Sequence, residues 1–358
     1  MSISKKRVLF IAPSIQQGGL ENAVAIIANW FFENGFDVKI ATIYKFPIFY
    51  NISPSIEVLK PSYARDDHNS VVFYLKTIAY LRKKIKDSKP HVIVSYGDYL
   101  NPLSIISNFG NDVPIYISDR ASPGLSFPSL VRLIRKYTYS KATGIIAQTE
   151  RAKKQKIQML NGFDNVEVVP NPIRPIQTYQ EEKKKVVLGV GRHYKVKGLD
   201  RLIQAFGTVR NEDWELHIAG NTGPETENLK VMARKHVKGD RVKFLGAVKD
   251  IDRVFSYSSL FVLPSRSEGF PNALIEAMAH GLPCISFDIN AGPAEIIEHE
   301  KSGLLIPDGQ VNELAKAIQC LIMNPSKRND LGAEALKLKE ELHLDKIGEK
   351  YLNFITNY

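Results

Sequence analysis

The chain has 358 residues, 44% of them hydrophobic, with 48 Lys+Arg against 38 Asp+Glu. That is enough apolar material for two cores, and the two cysteines, Cys284 and Cys320, exclude a disulfide framework and fit a reduced, cytosolic setting. No uncharged apolar stretch reaches the roughly 18 residues that a spanning helix requires, and the whole +10 net charge lies in residues 1–175, which hold 23 Lys+Arg against 13 Asp+Glu.

In chain order, the basic N-terminus "MSISKKRVLFIAPS" lacks a small-residue cleavage site and reads as a first strand rather than a leader. "HVIVSYG", "VPIYIS" and "GIIAQT" follow as further short Val/Ile-rich runs, each separated from the next by a helical pattern. Two of the helical patterns combine apolar stripes with clustered cations. One is "VVFYLKTIAYLRKKIKDSK"; the other, "FPSLVRLIRKYTYSK", spaces Phe127, Leu130, Val131, Ile134 and Tyr137 near helical period among Arg132, Arg135, Lys136 and Lys141. Such helices either lie on an anionic membrane or pack an apolar face inward and solvate the other.

Three prolines and a charge run in "VVPNPIRPIQTYQEEKKK" mark a linker over 173–184. It divides an N-terminal domain, 1–172, from a C-terminal domain, 185–340, and a last helix over 341–358 is expected to pack back on the first domain. Strands resume with "KVVLGVG", "WELHIAG", "RVKFLG", "LFVLPS" and "PCISF". Continuous apolar strands alternating with helices imply parallel sheets buried on both faces, hence two doubly wound, Rossmann-like α/β domains facing a central cleft.

Two motifs of the second half carry chemistry. In "LGVGRHYKVKGLDRLIQAF" a strand gives way through a polar loop to a helix, with Arg192 and Lys197 bracketing the loop. Cations beside a helix N-terminus suit a phosphate; the alternative is a pair of solvated loop charges. Gly189 and Gly191 lack the third glycine of a dinucleotide fingerprint. In "SRSEGFPNALIEAMAHGLPCIS" Pro271 starts a helix that Gly281 closes, placing Glu268 in the loop and Glu276 in the second turn. The amides of Asn272, Ala273 and Leu274 lie between them, inviting an anion. Eight helical residues span about 12 Å, the length of a diphosphate flanked by two sugar rings, and each carboxylate can accept from vicinal hydroxyls. Glu276 stands among Leu274, Ile275, Ala277 and Met278, a poor place for an idle charge.

These glutamates, the "GRHYKVKG" loop, the "FLGAV" turn and the N-terminal "QQGGLENAV" resemble a retaining GT-B glycosyltransferase of family 4, over residues 7 to about 320. The resemblance implies catalytic roles for Arg192, Lys197 and Glu268. The two cations would grip the donor diphosphate, Glu268 would face the hexose and Glu276 would bind the ribose. It also implies donor contacts from Gly269, Phe270, Asn272, Ala273 and Leu274, from Val248 beside the base, and from Gly18 and Gly19 beside the phosphates. The donor would be a UDP-sugar, with no metal and no cofactor, and the acceptor a polyprenyl-diphosphate-linked glycan of bacterial capsule or O-antigen assembly. The protein would be cytoplasmic and peripheral on the inner face of the plasma membrane. Where many relatives carry a histidine or another polar residue, "YISDRASPG" offers Asp119 and Arg120. Arg120 would hold an acceptor phosphate or the hexose, or else pair with Asp119 to fix the loop; Asp98 and Asn101 in "SYGDYLNP" are further acceptor-side candidates.

"DID", Asp250–Asp252, has the letters of a metal-binding Asp-x-Asp but opens a helix and reads as an N-cap. Two other classes remain, a nucleotide-sugar epimerase or phosphorylase on the same fold and a non-catalytic sugar-nucleotide-binding partner. Nucleic-acid binding fits the basic charge but no recognised module appears.

Overall fold

The computed structural model describes residues 6–120, 122–210, 212–290 and 292–356. The chain divides into two compact units, Met1–Pro172 with Leu344–Tyr358, and Ile173–His343.

Unit 1 runs β1 (Arg7–Ala12), α1 (Gly19–Glu33), β2 (Asp37–Thr42), β3 (Glu57–Leu59), α2 (Ser70–Ser88), β4 (Val92–Tyr96), α3 (Leu100–Asn108), β5 (Ile115–Ser118), α4 (Ser129–Tyr139), β6 (Gly144–Ala147), α5 (Glu150–Met159) and β7 (Val166–Val168). Its seven strands form one sheet in the order β3-β2-β1-β4-β5-β6-β7, every neighbouring pair parallel. β1, β4, β5 and β6 are apolar along nearly their whole length because both faces of the sheet are covered: Leu9, Ile11, Ile93, Ile117 and Ile145 share one buried cluster with Phe73, Leu81 and Ile85 of α2, and the alternating Phe10, Val94 and Ile146 are as fully buried.

Unit 2 runs β8 (Val186–Val190), a 3₁₀ turn (Lys195–Lys197), α6 (Leu199–Gly207), β9 (Glu215–Ala219), α7 (Thr226–His236), β10 (Val242–Gly246), α8 (Ile251–Tyr257), β11 (Leu260–Leu263), α9 (Asn272–Ala279), β12 (Cys284–Asp288), α10 (Pro293–Ile296), β13 (Leu304–Pro307), α11 (Val311–Met323), α12 (Pro325–Ala335) and α13 (Leu338–Glu341). Its parallel sheet is ordered β10-β9-β8-β11-β12-β13. Leu202, Ile203 and Phe206 of α6 and Leu314, Ile318 and Leu321 of α11 fill its core against Val187, Leu216 and Ile285.

The last helix, α14 (Leu344–Thr356), lies in unit 1, where Trp30 Nε1 donates to Asp345 Oδ1 at 2.9 Å. Gly348 sits flat against that indole, since a Cβ there would come within 2.3 Å of the ring. The segment expected as a linker, 173–184, is part of unit 2: Gln177 N donates to Asp252 Oδ2 at 2.9 Å, and Lys184 N to Tyr257 O at 2.7 Å. Its prolines and charges look loop-like in sequence, yet its polar groups find fixed partners on α8. Residues 341–343 also belong to unit 2. Among the described residues no helix is long and apolar enough to cross a membrane.

Candidate active site

In each sheet the strand order reverses once, between β1 and β4 in unit 1 and between β8 and β11 in unit 2. Open parallel sheets bind ligands outside the carboxyl ends of the strands at such points. Gly18, Gly19, Asp98 and Asn101 follow the two switch strands of unit 1, and Arg192, Lys197, Glu268 and Glu276 those of unit 2.

In unit 2 the loops after β8 and β11 are locked together. Gly198 has φ +65°, and a Cβ there would lie 1.9 Å from Pro264 O, so no other residue fits between the two loops. Arg266 N donates to Val196 O at 2.8 Å, and its guanidinium forks onto Asp200 with both bonds at 2.7 Å while also reaching Lys195 O. Burial works against the Asp200 carboxylate, but Arg266 and Lys195 hold its pKa down at about 2. Arg266 has no signal in the sequence beyond its charge.

This clamp presents Lys197 to Glu268. Lys197 Nζ donates to both carboxylate oxygens, at 2.8 and 2.9 Å, and Ser265 Oγ donates to Oε1 at 2.6 Å. Glu268 is 9% exposed and Lys197 26%, so the pair is half-shielded and open on one side. Arg192 is exposed, its guanidinium 5.2 Å from the Tyr194 ring centroid. Val248 is half-buried in the loop between β10 and α8.

α9 begins at Asn272 with Pro271 at its N-cap, and Gly281, at φ +70°, ends it as the sequence implies. The turn before α9 departs from the expected anion site. The amides of Asn272 and Leu274 are not open to an anion, because Asn272 N donates to Phe270 O at 3.0 Å and Leu274 N to Pro271 O at 2.9 Å as the Pro271 turn tightens. Glu276 is largely buried, 16% exposed, with Arg174 Nε 3.3 Å from its Oε1. Burial raises its pKa and Arg174 opposes the rise. The same Arg174 guanidinium forks onto Asp252, which also approaches His280. Burial would raise Asp252, but His280, Arg174 and the Gln177 amide hold it well below the carboxylate range. Asp250 caps α8 through Arg253 N. Among the described residues no group of three His, Cys, Asp or Glu side chains is arranged to hold a metal ion.

In unit 1 the glycine loop is held by residues the sequence did not single out. Tyr50 Oη accepts from Gly18 N at 3.1 Å and donates to Gly18 O at 3.0 Å, and a Cβ on Gly18 would strike Glu21 Oε2 at 2.2 Å. Gly19 opens α1. The acceptor-side candidates are mostly tied up. Asn101 is fully buried and donates to Ser118 O at 3.2 Å, tying the start of α3 to the end of β5 instead of facing solvent. Asp119 is not paired with Arg120. Its partners are Arg135 Nη2 at 2.6 Å and Lys156 Nζ at 3.0 Å, both cations being buried with it. Burial would raise Asp119, yet Lys156, Asp98 and Arg135 hold it well below the usual range; burial and Asp119 push Asp98 well above it. Arg135 bridges both, lying 3.5 Å from Asp98 Oδ1. Arg120 instead donates to Ser118 Oγ at 2.8 Å, to Asn171 and to Tyr351 Oη at 2.9 Å, with Tyr96 beneath it.

Two doubly wound parallel sheets, each with polar loops at its switch point, make this an α/β chain of the GT-B fold, as its structural likeness bears out. It superposes on the crystal structure of Anabaena HepE in complex with UDP and glucose with a TM-score of 0.83, at 18% identity, over 99% of this chain and 100% of that one. Residues 174–338 match the family described as Glycosyl transferases group 1. The chain is 26% identical to an uncharacterized glycosyltransferase of Haemophilus influenzae, over 97% of this chain and 99% of that one. It is 23% identical, over 98% of each, to the GalNAc-alpha-(1->4)-GalNAc-alpha-(1->3)-diNAcBac-PP-undecaprenol alpha-1,4-N-acetyl-D-galactosaminyltransferase of Campylobacter jejuni. Together these similarities support a GT-B glycosyltransferase.

Proposed function

We propose that the protein is a retaining, metal-independent glycosyltransferase of family 4. It moves a hexose or N-acetylhexosamine from a UDP-sugar to a hydroxyl of a polyprenyl-diphosphate-linked glycan in bacterial surface polysaccharide assembly, such as capsule or O-antigen. The observation that carries the reading is the Lys197–Glu268 pair, clamped at the unit 2 switch point beside the start of α9 and in the same motif as the largely buried Glu276. Breaking the sugar–phosphate bond builds negative charge on the departing diphosphate. Lys197 is a prepositioned cation for it, with the exposed Arg192 in the same loop adding charge, and a fixed charge needs little reorganisation as the bond breaks. Glu268, already turned to Lys197, faces the sugar; Glu276 accepts from the ribose. Attack comes from the face the leaving group departs, with the donor phosphate taking the acceptor proton. A nucleotide donor is supported by the UDP in the HepE complex, and a lipid-linked acceptor by the undecaprenol in the name of the Campylobacter relative.

Binding of donor to native protein alone raises the melting temperature by mass action. UDP is expected to raise it, and UMP, without the β-phosphate that Lys197 would meet, to raise it less. No shift with UDP or any UDP-sugar would remove the donor reading.

Membrane contact belongs to the same proposal, with the protein cytoplasmic and peripheral. On α4 it is the apolar side chains that face out: Leu130, Leu133, Ile134 and Tyr137 are 40–67% exposed, while the helix buries Arg135, Thr138 and Tyr139. α2 likewise exposes Val71, Val72, Tyr74 and Leu75 while burying Phe73, Leu81 and Ile85. Arg132, Lys136 and Lys141 are exposed on or just after α4; Arg135, expected among the surface cations, is inside because Asp98 and Asp119 lie across from it. Each basic residue near an anionic surface adds about 1 kcal/mol. The protein is expected to co-float with phosphatidylglycerol vesicles at low salt and less with neutral ones. Arg132→Glu with Lys136→Glu should weaken flotation without altering UDP affinity. Indifference of the wild type to anionic vesicles would favour a soluble acceptor.

A further inference from the structure

Glu276 is oriented from outside its own helix. Arg174, at the start of unit 2, reaches its Oε1 with Nε at 3.3 Å, while the two terminal nitrogens of the same guanidinium fork onto Asp252, Nη1 donating to Oδ2 at 2.9 Å. Asp252 is itself fixed by Gln177 N at 2.9 Å. His280 closes the ring: its Nδ1 donates to Glu276 O at 2.8 Å, and its Nε2 stands 3.3 Å from Asp252 Oδ1. A planar fork pinned at both ends cannot turn, so the direction in which Nε meets Glu276 is set by Asp252.

We propose that Arg174 is a positioning residue for nucleotide binding, its fork on Asp252 fixing the rotamer and the charge of Glu276. This rests on the reading of Glu276 as the ribose-binding carboxylate. Three charged or titratable groups face Glu276: Arg174, Asp252 and His280. Burial and Asp252 favour the protonated carboxyl; Arg174 and His280 oppose them. A protonated Glu276 loses acceptor capacity toward two vicinal hydroxyls. The sign follows. Glu276 is competent above its pKa and fails as pH falls through it, and without Arg174 that failure moves to higher pH.

The test is UDP affinity by calorimetry from acid to neutral pH on the full chain. For Arg174→Gln we expect about tenfold weaker binding near neutrality, the scale of one charge-assisted bond, and a pH midpoint displaced upward. Arg174→Lys, which keeps the charge but not the fork, should hold the midpoint near wild type and still bind severalfold weaker. In a Glu276→Gln background neither change at Arg174 should matter further. Wild-type affinity and midpoint in Arg174→Gln would overturn the proposal, as would equal losses with and without Glu276. Should Arg174→Gln fail to fold, wild-type affinity in Arg174→Lys overturns it alone. If Glu276→Gln itself binds UDP like wild type, the ribose reading has failed instead, a result separable from the others.

Discussion

Lys197→Ala or Arg192→Ala is expected to lower turnover on the order of 10²-fold, while excess EDTA leaves the rate nearly unchanged. Lys197 is held half-shielded at the switch point, where an ion interacts more strongly with developing charge than it would in bulk water. Its loss also strands Glu268, which is 9% exposed and would keep only the Ser265 hydroxyl among the bonds described above. Arg192 is exposed, so its loss should weaken donor affinity as well as turnover. Abolition of activity by EDTA, restored by Mg²⁺ or Mn²⁺, would reopen Asp250 and Asp252 as ligands and require Arg174 to release Asp252.

Glu268→Gln and Glu276→Gln should fail differently. Glu276→Gln removes the acceptor for the ribose and weakens every UDP ligand, whereas Glu268→Gln leaves UDP affinity in place, or improves it by freeing Lys197, and reduces kcat. Calorimetry with UDP beside steady-state kinetics separates the two; equal losses of UDP affinity would contradict the assignment.

How far these residues could be seen in advance depends on whether their constraints are local. The buried strands β1, β4, β5, β6, β8 and β11 read directly as apolar runs because both faces are covered. The strands not foreseen include β3, β7 and β13, all sheet edges, and β2, whose Lys39 turns outward to Glu57. An edge strand has less of its length buried and so less pattern to read. Arg192, Lys197 and Glu268 were legible because each falls where an apolar strand gives way to a helix, and Glu276 because it is a charge among apolar neighbours in the second turn of α9. Their supports were not, since Arg174, Arg266 and Tyr50 act across long sequence separations and look like ordinary loop residues. Arg135 misled for the opposite reason. Periodicity assigns an arginine to the wet face, and only the fold shows two aspartates waiting beneath α4.

The central claim, transfer of a sugar from a nucleotide donor to a lipid-linked glycan, is tested most directly by product mass. The purified protein would be incubated with a panel of UDP-sugars and undecaprenyl-diphosphate-linked oligosaccharides, in EDTA, and the lipid fraction read by mass spectrometry. The account predicts one donor that lengthens an acceptor by a single hexose or N-acetylhexosamine, with UDP released in equal amount and the new linkage keeping the donor's anomeric configuration. Conversion of a UDP-sugar to its epimer or to a sugar phosphate, with every glycan unchanged, would contradict it.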